Sequence, residues 1–431
     1  MADNTPVYNL KAVINEIGLN PATLRAWERR YGLVKPKRSP GGHRLYTRQD
    51  IDMLKWLIER QKEGLSISSA AEMWKSQQKD NHDISQPILT QAQISTMGES
   101  VLDELREKWL SACMDFDDLT ANQILDQAFS VAAPELILSQ VLQNGIAQIG
   151  EGWYTGVISV QQEHFAIAVA SRRVNALLAA SAPPTRLGRI LVACPPGEDH
   201  DFILLMITFF LKRRGWDVVY LGSNVPLLNL DSTIRSTSPI LFLSVAQTLK
   251  TASSLRTLSE YLVTQGIPLA YGGRIFNEVP DATQYISGYF LGNDLVNVAQ
   301  MIEHLVSTPP PMPSGLPVTP LYTLTLKQFN QNEGAIATHV SSIFRSEPVD
   351  PAQLDNTNAY LGRFIASALT LGDINLLDNS ILWLNGLLKT EGLSAKLVRQ
   401  YYATYRLEVE HYLGDQSSLI QDQLAKYELS E

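Results

Sequence analysis

The sequence predicts a multidomain protein of the α and α/β classes: a winged helix-turn-helix, a four-helix bundle, a flavodoxin-like (Rossmann-type) domain and a C-terminal helical domain. Three observations support this prediction. A basic segment with helical spacing opens the chain, five short apolar runs alternate with helical patterns between residues 186 and 306, and helical spacing alone fills the regions on either side. Strands that alternate with helices are typical of a parallel, doubly wound sheet.

The charge of the chain is unevenly distributed. Residues 1–75 carry 13 Lys and Arg against 8 Asp and Glu, whereas the remaining residues carry 22 against 36. A basic head on an acidic body predicts that the head alone meets nucleic acid.

Composition also limits the compartment and the kinds of site. Each apolar run is interrupted before it reaches the length of a bilayer span, and the first residues lack the basic and apolar regions of a signal peptide. We therefore expect a cytoplasmic protein with no membrane partner. Cys113 and Cys194 lie in apolar stretches and are predicted to be reduced core residues. Because the sequence has only these two cysteines, a zinc site of four cysteines is excluded.

Residues 1–76 predict a DNA-binding head. Helical spacing over residues 10–17, a glycine turn and a second helix capped by Asn20 form a helix-turn-helix pattern. Leu24 and Trp27 are expected to pack inward from the second helix. The residues expected on its outer face, in reach of DNA, are Thr23, Arg25 and Arg29.

A basic hairpin follows, from Lys35 to Tyr46, with a Pro-Gly-Gly turn, and a helix is predicted from Thr47 to Glu63. A hairpin of this kind can lay cations along phosphates. The residues predicted to contact DNA here are Arg38, Arg44 and Tyr46.

The head resembles the winged-helix domain of MerR-family regulators. The matching residues are Thr23-Leu-Arg-Ala-Trp-Glu-Arg-Arg-Tyr-Gly32, Gly42-His-Arg-Leu-Tyr46, Asp50-Ile51 and Gly64. The resemblance implies a double-stranded DNA operator as partner. Because symmetric recognition helices require paired half-sites, we also expect a homo-oligomer, either a dimer or a tetramer.

The middle of the chain is predicted to be helical. Residues 77–96 are rich in Gln, Asn, Asp, Ser and Pro and are predicted to be a linker, and residues 97–182 have the spacing of a four-helix bundle. Between its last two helices stand Trp153 and, at the start of the next helix, Glu163 and His164. On their own, such residues more often form an interface cluster than a ligand site.

Residues 186–306 predict the flavodoxin-like domain. Its first strand, Ile190–Ala193, ends in a Pro-Pro-Gly loop, and a helix begins at Phe202. Ligands of such sheets bind at the carboxyl ends of the strands, which is where His200 falls. The same loop supplies Glu198, which could orient the imidazole. The residues expected on the same rim are Ser244, Gly272 and Gly273.

A tryptophan, nine residues, a Glu-His pair and then Glu-x-His in the first βα loop resemble the cobalamin-binding module of light-dependent MerR-type repressors, the CarH and LitR group. The resemblance implies adenosylcobalamin or another cobalamin, a cobalt corrinoid, as cofactor. It implies that Trp153, Glu163 and His164 contact the adenosyl group and that His200 ligates cobalt from below. Ser244, Gly272 and Gly273 would then line the pocket of the nucleotide tail.

Two positions depart from that pattern. Ile203 stands where the motif has a glycine, and Tyr154 stands where a histidine often follows the tryptophan. The first interpretation is nevertheless a corrinoid-controlled transcription regulator, a repressor and not an enzyme, with the corrinoid as light sensor. Two alternatives stay open: the same fold sensing another tetrapyrrole or a protein partner, and a corrinoid-carrying enzyme module.

The carboxyl end is predicted to be an accessory unit. Residues 307–315 form a Pro-rich linker, and residues 316–431 show helical apolar spacing throughout. We expect this helical domain to serve oligomerisation or contact with a partner.

Overall fold

A computed structural model describes most of the chain. The described residues are 8–17, 19, 24, 27, 37–38, 44–47, 50–51, 53–55, 57–58, 91–154, 157–295, 297–345, 347, 349–390 and 392–428, with backbone alone for 15, 38, 91–100, 153 and 154. The chain divides into two compact units, residues 1–96 and 97–431.

The head contains a small antiparallel sheet in the order β1-β3-β2, formed by β1 (Tyr8–Asn9), β2 (Lys37–Arg38) and β3 (Arg44–Tyr46). Helix α1 (Leu10–Ile17) has the predicted bounds, and Leu24 and Trp27 are buried, which confirms their predicted inward packing. Thr47 and Asp50 form reciprocal hydrogen bonds at the start of the next helical segment. The winged architecture predicted for the head is confirmed.

The bundle follows. Its elements are α2 (Gln91–Met114), α3 (Asp118–Val131), α4 (Pro134–Leu136), a π-helical segment (Ile137–Gln143), α5 (Asn144–Tyr154) and α6 (Val160–Ala179). Ser159 and Gln162 form the predicted capping box of α6. Helix α2 begins at Gln91, inside the predicted linker 77–96, whose last six residues contain neither Gly nor Pro and are compatible with a helix.

The π-helical segment has a visible structural consequence. A π turn shifts the register of the backbone hydrogen bonds by one residue. The carbonyl of Gln140 within the segment accepts a hydrogen bond from Arg106 Nη1, at 3.3 Å. Directly after it, Gly145 lies against the Trp109 indole so closely that a Cβ would come within 2.8 Å of the ring. The apolar spacing of residues 133–149 by itself predicts an uninterrupted helix here.

The α/β domain has a five-stranded parallel sheet in the order β5-β4-β6-β7-β8 within the described chain. The strands are β4 (Arg189–Ala193), β5 (Asp217–Gly222), β6 (Leu241–Val245), β7 (Leu269–Gly272) and β8 (Tyr289–Phe290). The helices between and after them are α7 (Phe202–Arg213), α8 (Leu230–Thr237), α9 (Leu249–Gln265), α10 (Arg274–Glu278) and α11 (Val298–Ser307). This is the flavodoxin order, so the predicted fold class is confirmed.

Two apolar cores cover the two faces of this sheet. One core joins α7 and α11 to the bundle, and buries residues such as Trp109 and Phe210. The other joins α9 to the C-terminal helices, and buries residues such as Phe242 and Tyr405. Cys113 and Cys194 are buried and unbridged, as predicted, and burial raises the pKa of the Cys113 thiol to about 12.

The C-terminal helices are α12 (Pro320–Phe344), α13 (Pro351–Leu371), α14 (Asp378–Thr390), α15 (Ala395–Leu413) and α16 (Ser418–Glu428). The Pro-rich segment before them is held against the edge of the sheet, because the Gly288 amide donates to Pro313 O at 3.0 Å and the Tyr289 hydroxyl donates to Pro310 O at 2.6 Å. None of the helices in the described ranges has both the length and the apolar character that a membrane span requires.

Candidate cofactor site and DNA-binding residues

The candidate site lies at the carboxyl edge of the sheet, in the loop between β4 and α7. Pro195 and Pro196 end the strand because they lack the N–H donor that the ladder needs. Gly197 then takes a φ of +79°, a left-handed conformation that favours glycine. Local sequence therefore turns the chain outward and places Glu198 and His200 where ligands of such sheets bind.

Glu198 and His200 form a tight pair. Glu198 Oε1 accepts hydrogen bonds from His200 Nδ1 at 2.7 Å and from the His200 amide at 3.0 Å. The Glu198 side chain is 1% exposed, whereas that of His200 is 64% exposed. With Nδ1 held by the carboxylate, the imidazole presents Nε2 outward, which is the arrangement that metal-binding histidines commonly have.

The pKa values of the pair reflect this contact. Burial acts to raise the pKa of the Glu198 carboxyl, yet hydrogen bonds from His200, Thr251 and Gln247 outweigh burial and hold it below its ordinary value. The hydrogen bond to Glu198 raises the pKa of His200, although burial and the charge of Arg274 act to lower it. The carboxylate is therefore ionised and serves as the acceptor.

Three residues around this pair were missed by the sequence reading. The Gln247 backbone amide donates to Glu198 Oε2 at 2.7 Å. The Gln247 side-chain oxygen accepts from the Arg274 backbone amide at 3.1 Å. The Thr251 side chain bonds Glu198 as well. All three follow the ends of β6 or β7, and that position at the carboxyl edge was the available signal.

Asp201 and Tyr220 make a second contact on this rim. The Tyr220 hydroxyl donates to Asp201 Oδ2 at 2.6 Å, and burial together with this bond raises the pKa of the phenol. The contact ties the end of β5 to the first residue before α7. It stabilises the loop that carries His200 from the side opposite to Gln247.

Ser244, Gly272 and Gly273 lie on the predicted rim, but they differ in role. The Ser244 hydroxyl is buried and donates to Ala193 O at 2.8 Å, linking β6 to β4. A Cβ on Gly273, whose φ is +124°, would come within 1.9 Å of Ala246 O, so that glycine permits two loops to meet. A Cβ on Gly272 would make an ordinary van der Waals contact with Gly292 O, at 3.8 Å.

The bundle contributes one charge to the site. Glu163, in the first turn of α6, acts electrostatically on His200 and raises its pKa. His164, the next residue, is exposed. Trp153 lies in the last turn of α5, where the backbone alone is described. Glu163 and His164 thus lie at the start of α6, and Trp153 lies at the end of the preceding helix, α5.

A macrocycle fits this set of groups better than a bare metal ion does. Within the described chain there is no cluster of three or more His, Cys, Asp or Glu side chains that could hold a metal ion. One outward imidazole supplies a single ligand, which is what a metal already held by four ring nitrogens requires.

Ile203 is half-buried and packs against the core shared with the bundle, so its side chain is committed to that core.

One residue of the predicted DNA contacts is corrected. Tyr46 has no exposed surface and packs in the core of the head, because β3 lies between β1 and β2 and turns this ring inward. Its prediction as a DNA contact is wrong. Arg44 begins the same strand and is half-buried. Arg38 is described by its backbone in β2, and Thr23, Arg25 and Arg29 lie outside the described residues.

Comparison with family models gives two matches. Residues 8–77 match the MerR HTH family regulatory protein model, and residues 105–178 match the B12 binding domain model. The second match falls on the bundle, on the segment that holds Trp153, Glu163 and His164.

Two relatives from Myxococcus xanthus match more than half of the chain. The HTH-type transcriptional repressor CarH is 31% identical over 244 residues, which cover 56% of this chain and 78% of CarH. The HTH-type transcriptional repressor CarA is 29% identical over 232 residues, covering 53% of this chain and 73% of CarA.

Among solved structures, the monomethylamine corrinoid protein of Methanosarcina barkeri is similar over 47% of this chain and 99% of its own. The identity is 16% and the TM-score 0.41, a likeness from which we draw no conclusion.

Proposed function

The chain belongs to the family of the HTH-type transcriptional repressor CarH, and from that premise we propose that it is a DNA-binding repressor controlled by adenosylcobalamin acting as a light sensor. The observation that carries the proposal is the Glu198–His200 pair, whose exposed imidazole presents Nε2 at the ligand-binding edge of the sheet. The match of residues 8–77 to the MerR HTH family model supports a regulator over an enzyme module.

His200 is proposed to ligate cobalt from below through Nε2. Glu198 holds Nδ1–H and thereby fixes both the tautomer and the direction of the ring. When bound, adenosylcobalamin would supply a cobalt–carbon bond that light breaks. The protein side of the mechanism is to hold His200 in place and to keep the bundle above it.

The bundle is proposed to cover the opposite face of the corrinoid. Trp153 offers a flat apolar surface, and Glu163 and His164 offer hydrogen-bonding groups to an adenosyl ribose or adenine. The electrostatic effect of Glu163 on His200 supports a position of this helix end near the metal ligand. Ser244, Gly272 and Gly273 are the proposed neighbours of the nucleotide tail, and their position at the carboxyl ends of β6 and β7 supports this role.

DNA binding is proposed to use the helix-turn-helix residues Thr23, Arg25 and Arg29 and the hairpin residues Arg38 and Arg44. The four arginines are cations that suit phosphates and base edges, and the Thr23 hydroxyl can hydrogen-bond to either. The two-fold symmetry of an operator would pair two such heads, so a homo-oligomer, dimer or tetramer, is part of the proposal. Loss of the adenosyl group would shift the bundle and change that assembly.

The test uses the full chain mixed with adenosylcobalamin in the dark. We expect a bound corrinoid whose absorption spectrum shows a histidine ligand in the unaltered protein. The His200→Ala variant should show the spectrum without this ligand, or no binding. His411→Ala, an exposed histidine on α15, is the matched control and should behave as the unaltered protein does.

Sizing chromatography and gel-shift assays before and after green light test the sensor role. A bound corrinoid with no response in either assay would leave a ligand-level sensor and contradict the photoreceptor. Absence of corrinoid binding would favour the alternative of another tetrapyrrole or a protein partner.

A further inference from the structure

Asn224 lies in the loop after β5 and bridges to the loop that carries His200. Its side-chain oxygen Oδ1 accepts a hydrogen bond from the Gly197 amide at 2.7 Å. Its backbone amide donates to Glu198 O at 2.8 Å. One residue therefore binds the backbone immediately before Glu198 and the carbonyl of Glu198 itself.

The backbone of Asn224 is adapted to this double contact. Its φ is +52°, in the left-handed region, where Asn is one of the few residues besides glycine that occur with low cost. Gly197, which donates to it, also has a positive φ, of +79°. Two turns in the left-handed conformation thus face each other and hold the loop between β4 and α7 from outside.

The bridge acts on the imidazole through Glu198. The carboxylate of Glu198 is buried and holds His200 Nδ1, so a displacement of the Glu198 backbone would move the carboxylate and with it the ring. Asn224 itself is exposed, so removing its amide creates no cavity in the core. A change at this position should therefore affect the alignment of His200 more than it affects packing.

We propose that Asn224 is a positioning residue for the lower metal ligand: its side-chain oxygen holds the Gly197 amide, its backbone amide holds Glu198 O, and Glu198 in turn directs His200 Nε2 at cobalt. The inference rests on the proposed function of His200. It assigns to the β5 loop a part in setting the strength of the bond between histidine and metal.

Three variants of the full chain separate the amide from the backbone conformation. Asn224→Gly keeps the left-handed turn and removes the acceptor. Asn224→Asp keeps an oxygen acceptor at the same place. Ser223→Ala changes the exposed neighbouring residue and is the matched control.

The first readout is the absorption spectrum and the affinity of bound methylcobalamin in the dark. We expect Asn224→Gly to weaken binding about tenfold, the effect typical of losing a partner that orients a metal ligand, and to raise the fraction without a histidine ligand. Asn224→Asp and Ser223→Ala should match the unaltered protein. A spectrum and affinity unchanged in Asn224→Gly, with His200→Ala clearly altered, would overturn the proposal.

The second readout needs no corrinoid. Carbethoxylation of His200 by diethylpyrocarbonate, followed by peptide mass spectrometry with His411 as internal reference, reports how firmly Glu198 holds the ring. We expect a rate several-fold higher in Asn224→Gly, and an unchanged rate would contradict the positioning role. If the unaltered protein fails to bind methylcobalamin, the proposed function fails, while the carbethoxylation rate still decides whether Asn224 positions His200.

Discussion

At the scale of single residues, Glu198 is the hub of the candidate site. A buried carboxylate is costly unless hydrogen bonds satisfy it. Glu198 accepts from the His200 amide, His200 Nδ1 and the Gln247 amide, so two loops and one ring converge on it. A residue with this many partners orients the exposed imidazole and also holds the edge of the sheet together.

Replacing Glu198 by Ala should destabilise the fold as well as the site. The His200 backbone amide loses its acceptor and the Gln247 backbone amide keeps only the Thr251 hydroxyl, and hydrogen bonds to a charged group contribute about 1.5–3 kcal/mol each. We expect the free energy of unfolding, measured by denaturant titration, to fall by at least that amount. Glu278→Ala, at a half-exposed carboxylate paired with Arg274, is the control and should change it by less than about 0.5 kcal/mol.

In the head, Arg44 and Tyr46 are separated by one residue in β3, but substitutions of the two should have different effects. Tyr46→Ala removes a fully buried aromatic ring and should lower the stability of the head by about 3–5 kcal/mol, visible in circular dichroism. Arg44→Ala should keep the folded spectrum, weaken DNA binding and reduce the salt slope by about 1. An unchanged salt slope for Arg44→Ala would exclude that residue from phosphate contact.

At the scale of elements, the helix after Pro134 shows how packing modifies a local pattern. The sequence there favours a single helix, yet residues 137–143 take a π-helical register. Trp109 Nε1 and Arg106 Nε, which lie alongside, are buried without a hydrogen-bond partner. This wall of the bundle therefore combines an irregular helix with unsatisfied polar groups, and we expect it to be the less stable side of the bundle.

A pair of glycine substitutions tests how closely α5 packs against the Trp109 ring. In a helix, Gly→Ala ordinarily stabilises by about 1 kcal/mol. Gly334→Ala in α12, where a Cβ meets open space, should show this gain. Gly145→Ala in α5 should instead destabilise by about 1–3 kcal/mol, because the Cβ would approach the Trp109 ring to 2.8 Å. Thermal unfolding measures both, and a gain at Gly145 would mean that the indole can move aside.

At the scale of the whole unit 97–431, the sheet lies between two helical bodies. The bundle packs on the side of α7, and the C-terminal helices pack on the side of α9. Arg256 of α9 fastens the second contact, because its guanidinium donates to Leu371 O at 2.5 Å and to Leu316 O at 2.8 Å. The helix that carries Thr251 at its start is thus anchored to the C-terminal helices.

Arg256→Met should loosen this contact. The methionine keeps an apolar stem, but the carbonyls of Leu316 and Leu371 lose their donor. We expect proteinase K to cut residues 307–319 several-fold faster than in the unaltered protein. Arg235→Met, at a guanidinium on the surface of α8, is the control and should leave the cleavage rate unchanged.

The class of each region and the places where strands end follow from local signals in the chain. Apolar periodicity, the Pro-Pro-Gly break and the capping residues are local signals, so β4, α7 and the cap at Ser159 lie where the sequence predicts them. Glu198 and His200 belong to one turn of chain, and for that reason their pairing was predictable as well.

The partners of Glu198, the burial of Tyr46 and the π-helical register depend on residues far apart along the chain. They are therefore visible only in the folded protein. The partners Asn224, Gln247 and Arg274 come from three separate loops that meet only when the parallel sheet forms. Tyr46 has the composition of a surface hairpin but becomes core because β1 pairs beside β3. The π-helical register and the attachment of the Pro-rich segment to the sheet edge likewise arise from long-range packing. A local sequence pattern carries no signal for such packing.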